Sequence, residues 1–134
     1  MTTIDAGQPA AQSPADLPGD VLIVEDDPLI ALDLSETIMS FGVASVRTAG
    51  TVAGALQQID ERKPDFVLLD LRLGGEKSFA VAQRLKTLMI PFAFTTGYVG
   101  TGGVPAAFAD VAVLIKPYVL DNLRIALQSW RASA

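Results

Sequence analysis

The amino-acid sequence predicts an α/β fold, a doubly wound parallel sheet of five strands with helices on both faces. Two observations support this prediction: short, continuously apolar runs recur along the chain, and amphipathic helical segments separate them. Apolar runs without alternation are typical of strands that are buried on both faces. Strands that alternate regularly with helices favour a parallel sheet. The 134 residues are enough for one domain with a core of its own.

The third predicted strand is the clearest, because residues 66–69 are all apolar and lead directly into Asp70. Lys63-Pro64 and Gly74-Gly75 bound this run, and proline and glycine are typical of turns. The other predicted strands are residues 21–24, 43–48, 91–95 and 111–115. Of these, the second is expected to be the most exposed, since its apolar residues alternate with polar ones.

Periodic apolar residues predict helices over residues 29–40, 51–61, 78–89 and 120–130. The first of these helices is expected to stop at Gly42. Residues 99–110 contain three glycines and one proline, so the helix predicted there is short and covers residues 105–109. Residues 71–77, which follow the third strand, are predicted to form a loop.

The composition of the chain excludes several classes of chemistry. Cysteine and histidine are absent, which rules out disulfides, thiolate or imidazole metal sites and Ser-His catalysis. A net charge of −5 without a basic block argues against direct binding to nucleic acid. No apolar run approaches the roughly 20 residues of a membrane span, and the first residues lack the features of a signal peptide. We therefore expect a soluble cytoplasmic protein.

The first 19 residues differ in composition from the rest of the chain. Residues 1–19 contain three prolines and two glycines and show no periodicity, so they are predicted to form a flexible N-terminal tail. Residues 20–132 are then the folded domain.

Polar side chains follow four of the five predicted strands, at the point where each strand ends. Glu25 and Asp26 follow the first strand, Asp70 ends the third, Thr96 follows the fourth and Lys116 follows the fifth. Because the strands are parallel, these side chains are expected to meet at one edge of the sheet. Each residue has an ordinary explanation when taken alone, as a helix cap or a solvated loop residue. Their coincidence at one edge indicates a functional site.

This set of side chains suits the transfer of a phosphoryl group to a carboxylate. An ionised carboxylate is already a nucleophile and needs no general base. Clustered acids repel one another unless a hard cation such as Mg²⁺ is bound. Asp70 is the candidate nucleophile, and it would share Mg²⁺ with Asp26 and one backbone carbonyl. Thr96 and Lys116 are the candidates for binding the phosphoryl oxygens, whose charge must be neutralised in the transition state.

The chain resembles the receiver domains of two-component response regulators. The matching motifs are residues 21–27, 66–71 and 91–97 together with Lys116-Pro117, in the order and spacing of the family. The resemblance implies the flavodoxin-like (βα)5 receiver fold with strand order 2-1-3-4-5. It also implies a cis peptide bond between Lys116 and Pro117.

The resemblance implies roles for the acidic residues. Asp70 corresponds to the phosphoacceptor, which carries the 4-aspartylphosphate, and Asp26 to a direct Mg²⁺ ligand. Glu25 corresponds to an acid that acts on the metal through water, and the backbone carbonyl of Arg72 to a further ligand. Asp27 is not expected to be a ligand.

The resemblance also implies how the domain is used. Thr96 corresponds to the switch hydroxyl and Lys116 to the lysine of the family's site. The phosphoryl donor would be the phosphohistidine of a sensor histidine kinase or phosphotransferase, and the protein would be a monomer or weak dimer. We expect no DNA-binding or catalytic module after Trp130, and output is therefore expected through protein contacts, phosphate relay or phosphate draining. The expected catalysis is limited to the domain's own phosphorylation and dephosphorylation.

A closer resemblance is to receivers with a Phe-Ala-Thr-Gly-x-Tyr signature after the fourth strand. Here residues 94–98 read Phe-Thr-Thr-Gly-Tyr, so that Thr95 replaces the alanine and Tyr98 directly follows the glycine. Residues 73–76 also fit this subfamily. Such proteins are often stand-alone receivers of alphaproteobacteria that work with HWE-type or related histidine kinases in stress or light-sensing circuits.

Two features depart from the family pattern. Val113 stands where the fifth strand usually carries the switch aromatic residue, and the region of the fourth helix is rich in glycine. We therefore expect residues 97–105 to rearrange on phosphorylation, and Tyr98 to shield the acyl phosphate from water.

Two alternative functions remain open at this point. A pseudo-receiver would bind partners without being phosphorylated, but it would typically lack an acid, Thr96 or Lys116. An aspartate-nucleophile phosphatase of the haloacid-dehalogenase type needs an acid two residues after its nucleophile, where this chain has Arg72.

Overall fold

The computed structural model describes residues 16–97 and 104–133, which form a parallel sheet with helices on both faces. Its five strands are β1 (Asp20–Val24), β2 (Ser45–Ala49), β3 (Phe66–Asp70), β4 (Phe92–Thr96) and β5 (Val113–Ile115). The strands lie in the order β2-β1-β3-β4-β5, and every neighbouring pair is parallel. The predicted fold class and the strand order 2-1-3-4-5 are therefore confirmed.

The helices begin and end at residues that the sequence makes suitable. They are α1 (Pro28–Ser40), α2 (Val52–Glu61), α3 (Phe79–Thr87), α4 (Leu120–Gln128) and α5 (Trp130–Ser133). The Asp27 carboxylate caps α1 by accepting a hydrogen bond from the Leu29 N–H at 2.9 Å. Gly42, just after α1, has a φ of 108°, which explains why the helix stops there.

Three helix predictions need correction. The helix predicted over residues 78–89 ends at Thr87. The helix predicted over residues 120–130 ends at Gln128, with Ser129 as its C-cap before α5 begins. The short helix predicted over residues 105–109 is a single 3-10 turn, Ala106–Phe108. Glycine and proline nearby leave too few helix-forming residues for a longer element.

The predicted loop over residues 71–77 is also wrong, because this segment contains an antiparallel hairpin. Arg72 pairs with Lys77 and Leu73 with Glu76, and Gly74-Gly75 forms the two-residue turn between them. Gly74 has a φ of 63°, which a first-position glycine adopts readily in such turns. We call this element the 72–77 hairpin; it lies directly between β3 and α3.

The central strands are buried on both faces and separate two apolar cores. Leu22 and Leu69 point to the core that is covered by α2 and α3, whereas Ile23 and Leu68 point to the core that is covered by α1 and α4. All four side chains are almost completely buried. Alternate residues of each strand thus fill opposite layers, as expected for a continuously apolar strand in a parallel sheet.

The second core extends into the predicted N-terminal tail. Leu17 and Pro18 are buried, and Leu17 packs in the core beneath α1 and α4. The tail residues before Asp16 lie outside the described residues, so their predicted flexibility stays a prediction. Within residues 16–97 and 104–133, no helix is both long enough and apolar enough to cross a membrane.

Candidate functional site

Lys116 joins two acidic side chains at the carboxyl edge of the sheet. Its Nζ atom lies 2.5 Å from Glu25 Oε1 and 2.8 Å from Asp70 Oδ2. Glu25 is 4% exposed and Asp70 is 7% exposed, while the lysine side chain keeps 18% of its surface. One ammonium group is therefore shared between two buried carboxylates.

The parallel register of the sheet explains why these residues meet. Val24 and Leu69 are register partners in β1 and β3, so Glu25 and Asp70 follow side by side. The Glu25 N–H donates to the Ala49 carbonyl at 2.9 Å and continues the ladder beyond β1. The Lys116 N–H does the same beyond β5, where it donates to the Thr96 carbonyl at 2.8 Å.

Backbone N–H groups bind each of the three carboxylates of the site. The Asp27 N–H donates to Glu25 Oε2 at 3.1 Å, and the Arg72 N–H donates to Asp70 Oδ1 at 3.2 Å. Asp26 Oδ2 accepts a hydrogen bond of 2.9 Å from the Gly74 N–H, in the turn of the 72–77 hairpin. The orientation of the acidic side chains therefore depends on loop backbone as well as on Lys116.

The protonation equilibria of the site reflect burial and the shared lysine. Burial raises the pKa of Glu25, and the hydrogen bond from Lys116 opposes this effect only in part. The Gly74 N–H lowers the pKa of Asp26 by stabilising its charged form. Burial alone would lower the pKa of Lys116, but its bonds to Asp70 and Glu25 outweigh burial and raise it. Lys116 is therefore charged throughout the physiological pH range.

The acidic residues fit a divalent cation. Glu25, Asp26 and Asp70 can each offer one oxygen atom, and these atoms all lie within 4.8 Å of one another. Oxygen ligands in this number are what Mg²⁺ takes from proteins, with water completing its shell. Three carboxylates against one ammonium group also leave an excess of negative charge that a dication would offset.

The other predicted site residues lie at the same edge. Thr95 is the register partner of Asp70, and Thr96 follows it as a buried residue at the end of β4. Arg72 comes two residues after Asp70 and contacts the Asp70 carboxylate through its N–H, while its side chain is exposed. The predicted role of the Arg72 carbonyl as a ligand stays a prediction. The predicted cis bond between Lys116 and Pro117 is confirmed.

Sequence reasoning missed two contributions to the site, both made by backbone atoms. The Asp27 side chain caps α1, but its N–H binds Glu25. The sequence predicts only a loop at Gly74, but the Gly74 N–H in the turn of the hairpin binds Asp26. The signal for the hairpin was present, because two consecutive glycines between short extended segments are typical of a two-residue turn.

The space beside β4 is filled by phenylalanines, although Val113 lies where the family carries an aromatic residue. Phe94 on β4 packs edge-on against Phe79 of α3 and Phe108 of the 3-10 turn, with ring centroids 6.2 and 5.9 Å away. Tyr98 and most of the 97–105 segment lie outside the described residues, so the rearrangement and the shielding expected there stay predictions.

The fold and the geometry of this edge agree with a comparison to protein families. The response regulator receiver domain family matches residues 21–128, and the chain belongs to this family. It is therefore a receiver domain of the two-component class.

Solved structures resemble the chain along most of its length. The solution structure of SdrG from Sphingomonas melonis Fr1 is 41% identical, has a TM-score of 0.73, and the match covers 87% of this chain and 98% of SdrG. The receiver domain of Erythrobacter litoralis PhyR is 28% identical with a TM-score of 0.71, and the match covers 88% of this chain and 93% of that domain.

Curated relatives are similar over part of their length. The phyllosphere-induced regulator PhyR of Methylorubrum extorquens is 37% identical over 87 residues, which are 63% of this chain and 33% of that protein. The transcriptional regulatory protein PdtaR of Mycobacterium tuberculosis is 28% identical over 123 residues, or 90% of this chain and 60% of PdtaR. The chain thus spans between one third and three fifths of the length of these two relatives.

Proposed function

We propose that this domain accepts a phosphoryl group on Asp70 from the phosphohistidine of a sensor histidine kinase or phosphotransferase. The observation that carries the proposal is the Lys116 ammonium, which lies 2.8 Å from Asp70 and 2.5 Å from Glu25 beside a third acid. This arrangement combines a buried nucleophile, a fixed cation and a set of oxygen ligands for Mg²⁺.

Each residue of the site would have a distinct task in the transfer. Asp70 attacks the phosphorus atom while the bond to the donor's imidazole nitrogen breaks, and the released nitrogen takes up a proton from solvent. Lys116 pairs with one phosphoryl oxygen and the Thr96 hydroxyl binds a second. Asp26 and Asp70, with Glu25 acting through water and the Arg72 carbonyl, would hold Mg²⁺. The bound ion would neutralise charge on the transferred group.

The proposed chemistry is limited to this transfer and to the later hydrolysis of the aspartyl phosphate, in which water takes the phosphoryl group and inorganic phosphate is released. The position two residues after Asp70, where a haloacid-dehalogenase-type phosphatase needs an acid, is Arg72 with an exposed side chain. The acids, the hydroxyl and the lysine that a pseudo-receiver typically lacks are all present. The domain would therefore act as a signalling switch and not as an enzyme on other substrates.

The surface beside the site suits a helical partner. α1 exposes Leu29 and Leu32, and the segment after Lys116 exposes Val119 and Leu120, all more than half exposed. Leu29 and Leu120 line a largely apolar groove of about 490 Å³ between α1 and this segment. We propose that the helices of the phosphoryl donor, of the HWE type or a related one, dock here so that the phosphohistidine reaches Asp70. The reaction would take place in the cytoplasm, between a monomeric or weakly dimeric receiver and its kinase.

The relatives support a role in stress signalling. One PhyR structure is described as a stress response regulator, and the Bartonella quintana protein as an anti-anti-sigma factor. We propose that this receiver serves a circuit of that kind and passes its signal on through protein contacts.

The test is phosphorylation by a small donor. The full chain is incubated with acetyl phosphate and Mg²⁺, and intact mass spectrometry is expected to show an adduct of about 80 Da. Omitting Mg²⁺, or substituting Asp70→Asn, is expected to abolish the adduct. Asp27→Asn is the matched control, because asparagine also caps α1 and the adduct should persist. A wild-type chain that never acquires the adduct, from acetyl phosphate or from a phosphorylated kinase, would refute the proposal.

A further inference from the structure

Asp26 is held differently from the other two acids of the site. Lys116 forms ion pairs with Glu25 and Asp70, and in the described part of the chain these pairs do not include Asp26. Asp26 is exposed, whereas Glu25 and Asp70 are buried. The orientation of its carboxylate therefore needs another source.

The 72–77 hairpin supplies that source. The Gly74 N–H donates to Asp26 Oδ2 at 2.9 Å, across 48 positions of the sequence. Two residues earlier, the Arg72 N–H donates to Asp70 Oδ1. One short hairpin thus presents two N–H groups to two of the three carboxylates.

The hairpin is anchored in the core by one side chain, and its other residues from Gly74 to Lys77 are exposed. Leu73 is buried in the core beneath α2 and α3, while Gly75, Glu76 and Lys77 are exposed. Gly74, whose N–H reaches Asp26, has a φ of 63°, in the left-handed region that glycine adopts without strain and that lets the chain turn back after the bond. A side chain at this position would meet nothing within 4 Å, so the constraint is one of backbone conformation and not of space.

We propose that Gly74 is a positioning residue for the metal site, whose N–H orients Asp26 toward Mg²⁺, and that Mg²⁺ binding in turn orders the 72–77 hairpin. This inference rests on the proposed function, since it presumes that the acids bind Mg²⁺. The second half follows from the first by thermodynamic reciprocity: a hairpin that favours metal binding must be favoured by the metal to the same extent. The exposed tip of the hairpin would then present a different surface to partners with and without the ion.

Three substitutions separate backbone conformation from side-chain bulk. Gly74→Ala places a small side chain in open space but strains the left-handed backbone, and we expect it to weaken Mg²⁺ binding about ten-fold. Gly74→Asn adds a larger side chain but tolerates the left-handed region, so most of the affinity should remain. Gly75→Ala is the matched control, because Gly75 lies in the same turn without a left-handed φ and with equally open space around it.

The experiment measures the Mg²⁺ dissociation constant by isothermal titration calorimetry and the hydrogen exchange of residues 72–77 with and without Mg²⁺. We expect Mg²⁺ to slow exchange in the hairpin of the wild type, of Gly74→Asn and of Gly75→Ala, and much less in Gly74→Ala. Circular dichroism checks that each variant is folded. If Gly74→Ala does not fold, the effect of Mg²⁺ on hairpin exchange in the wild type decides the question.

The outcomes distinguish this inference from the proposed function. A wild-type chain that binds no Mg²⁺ would overturn both. Normal Mg²⁺ binding with hairpin exchange that does not respond to the ion, or with an unchanged affinity in folded Gly74→Ala, would overturn the role of Gly74 alone.

Discussion

Each end of the parallel sheet carries an ionic cluster, and the two clusters differ in their balance of charge. At the amino end, Asp20 of β1 is bound by two arginines, Arg47 and Arg62. At the carboxyl end, one lysine serves two buried acids and a third acid lies beside them. At the amino end one acid has two cationic partners, whereas at the carboxyl end one cation has two acidic partners.

At the amino end, both carboxylate oxygens of Asp20 are hydrogen-bonded to side chains of the same cluster. Arg47 binds both oxygens of Asp20, with Nε at 3.2 Å and Nη2 at 2.8 Å, and its other donors reach the carbonyls of Gln58 and Arg62. The Ser45 hydroxyl donates a further bond to Asp20. This bidentate guanidinium ties β1, β2 and the end of α2 together.

The pKa values of Asp20 and Glu25 shift in opposite directions, because Asp20 has two cationic partners and Glu25 shares one. Burial alone would raise the pKa of Asp20, but the hydrogen bonds from Arg47 and Ser45 outweigh burial and lower it. At the other end, burial raises the pKa of Glu25 because one lysine is not enough to compensate. The comparison indicates that the amino end stabilises the fold, whereas the carboxyl end keeps an excess of negative charge that a cation would offset.

The largest effect on stability is expected for Lys116→Met. This variant leaves the Glu25 and Asp70 carboxylates buried without their cation, and breaking such a pair costs about 3 kcal/mol of unfolding free energy. Urea unfolding at pH 7 without Mg²⁺ measures the loss, and Mg²⁺ is expected to restore part of it. Lys63→Met, at an exposed position, is the control and should have little effect. A loss as small as that of the control would show that the charge imbalance is not present.

A smaller effect, confined to stability, is expected for Asp20→Asn. The variant leaves Arg47 with poorer partners, and we expect a loss of about 2 kcal/mol in unfolding free energy. Mg²⁺ affinity and phosphorylation by acetyl phosphate should not change, because Asp20 lies at the opposite end of the sheet. Altered Mg²⁺ binding in this variant would contradict the separation of the two clusters.

The same variant has a defined pH dependence. The pKa of Asp20 is lowered in the folded state from 3.8, so its ionised form stabilises the fold above that pH. This stabilisation is lost as the pH falls through the lowered pKa. The difference in stability between wild type and Asp20→Asn should therefore be full at pH 7 and shrink below pH 3.8.

The smallest effect is the stabilisation of the wild type by Mg²⁺. At ten times its dissociation constant, a ligand that binds only the folded state adds about 1.4 kcal/mol. Thermal unfolding should show this gain for the wild type and for Asp20→Asn, but not for Asp26→Asn. Equal stabilisation of all three proteins would indicate that Mg²⁺ binds away from the acids.

Much of the fold could be predicted because its signals are local. The apolar run before Asp70 can only be buried on both faces, and β3 is found where the sequence placed it. The capping residues Asp27 and Thr51 mark the starts of α1 and α2 in the same way. The residues of the candidate site could also be predicted from the sequence, since a parallel sheet brings the ends of its strands to one edge.

Local patterns do not decide which individual residues are buried, because tertiary contacts decide it. Leu120 continues the apolar stripe of α4 in the sequence, yet it is exposed beside the groove next to α1. Leu17 lies in a segment rich in proline and glycine, yet it is buried because it packs in the core beneath α1 and α4. Neither the exposure of Leu120 nor the burial of Leu17 can be predicted from the neighbouring residues.

The sequence by itself determined the class of fold, the order in which its elements follow and the chemical types of the site residues, because periodicity and composition act over short distances. Only the tertiary structure decided which groups orient the acids. The bond from the Gly74 N–H to Asp26 joins residues 48 positions apart and uses a backbone atom that every residue except proline has. The bond forms because the path of the chain in space brings the Gly74 N–H and the Asp26 carboxylate together.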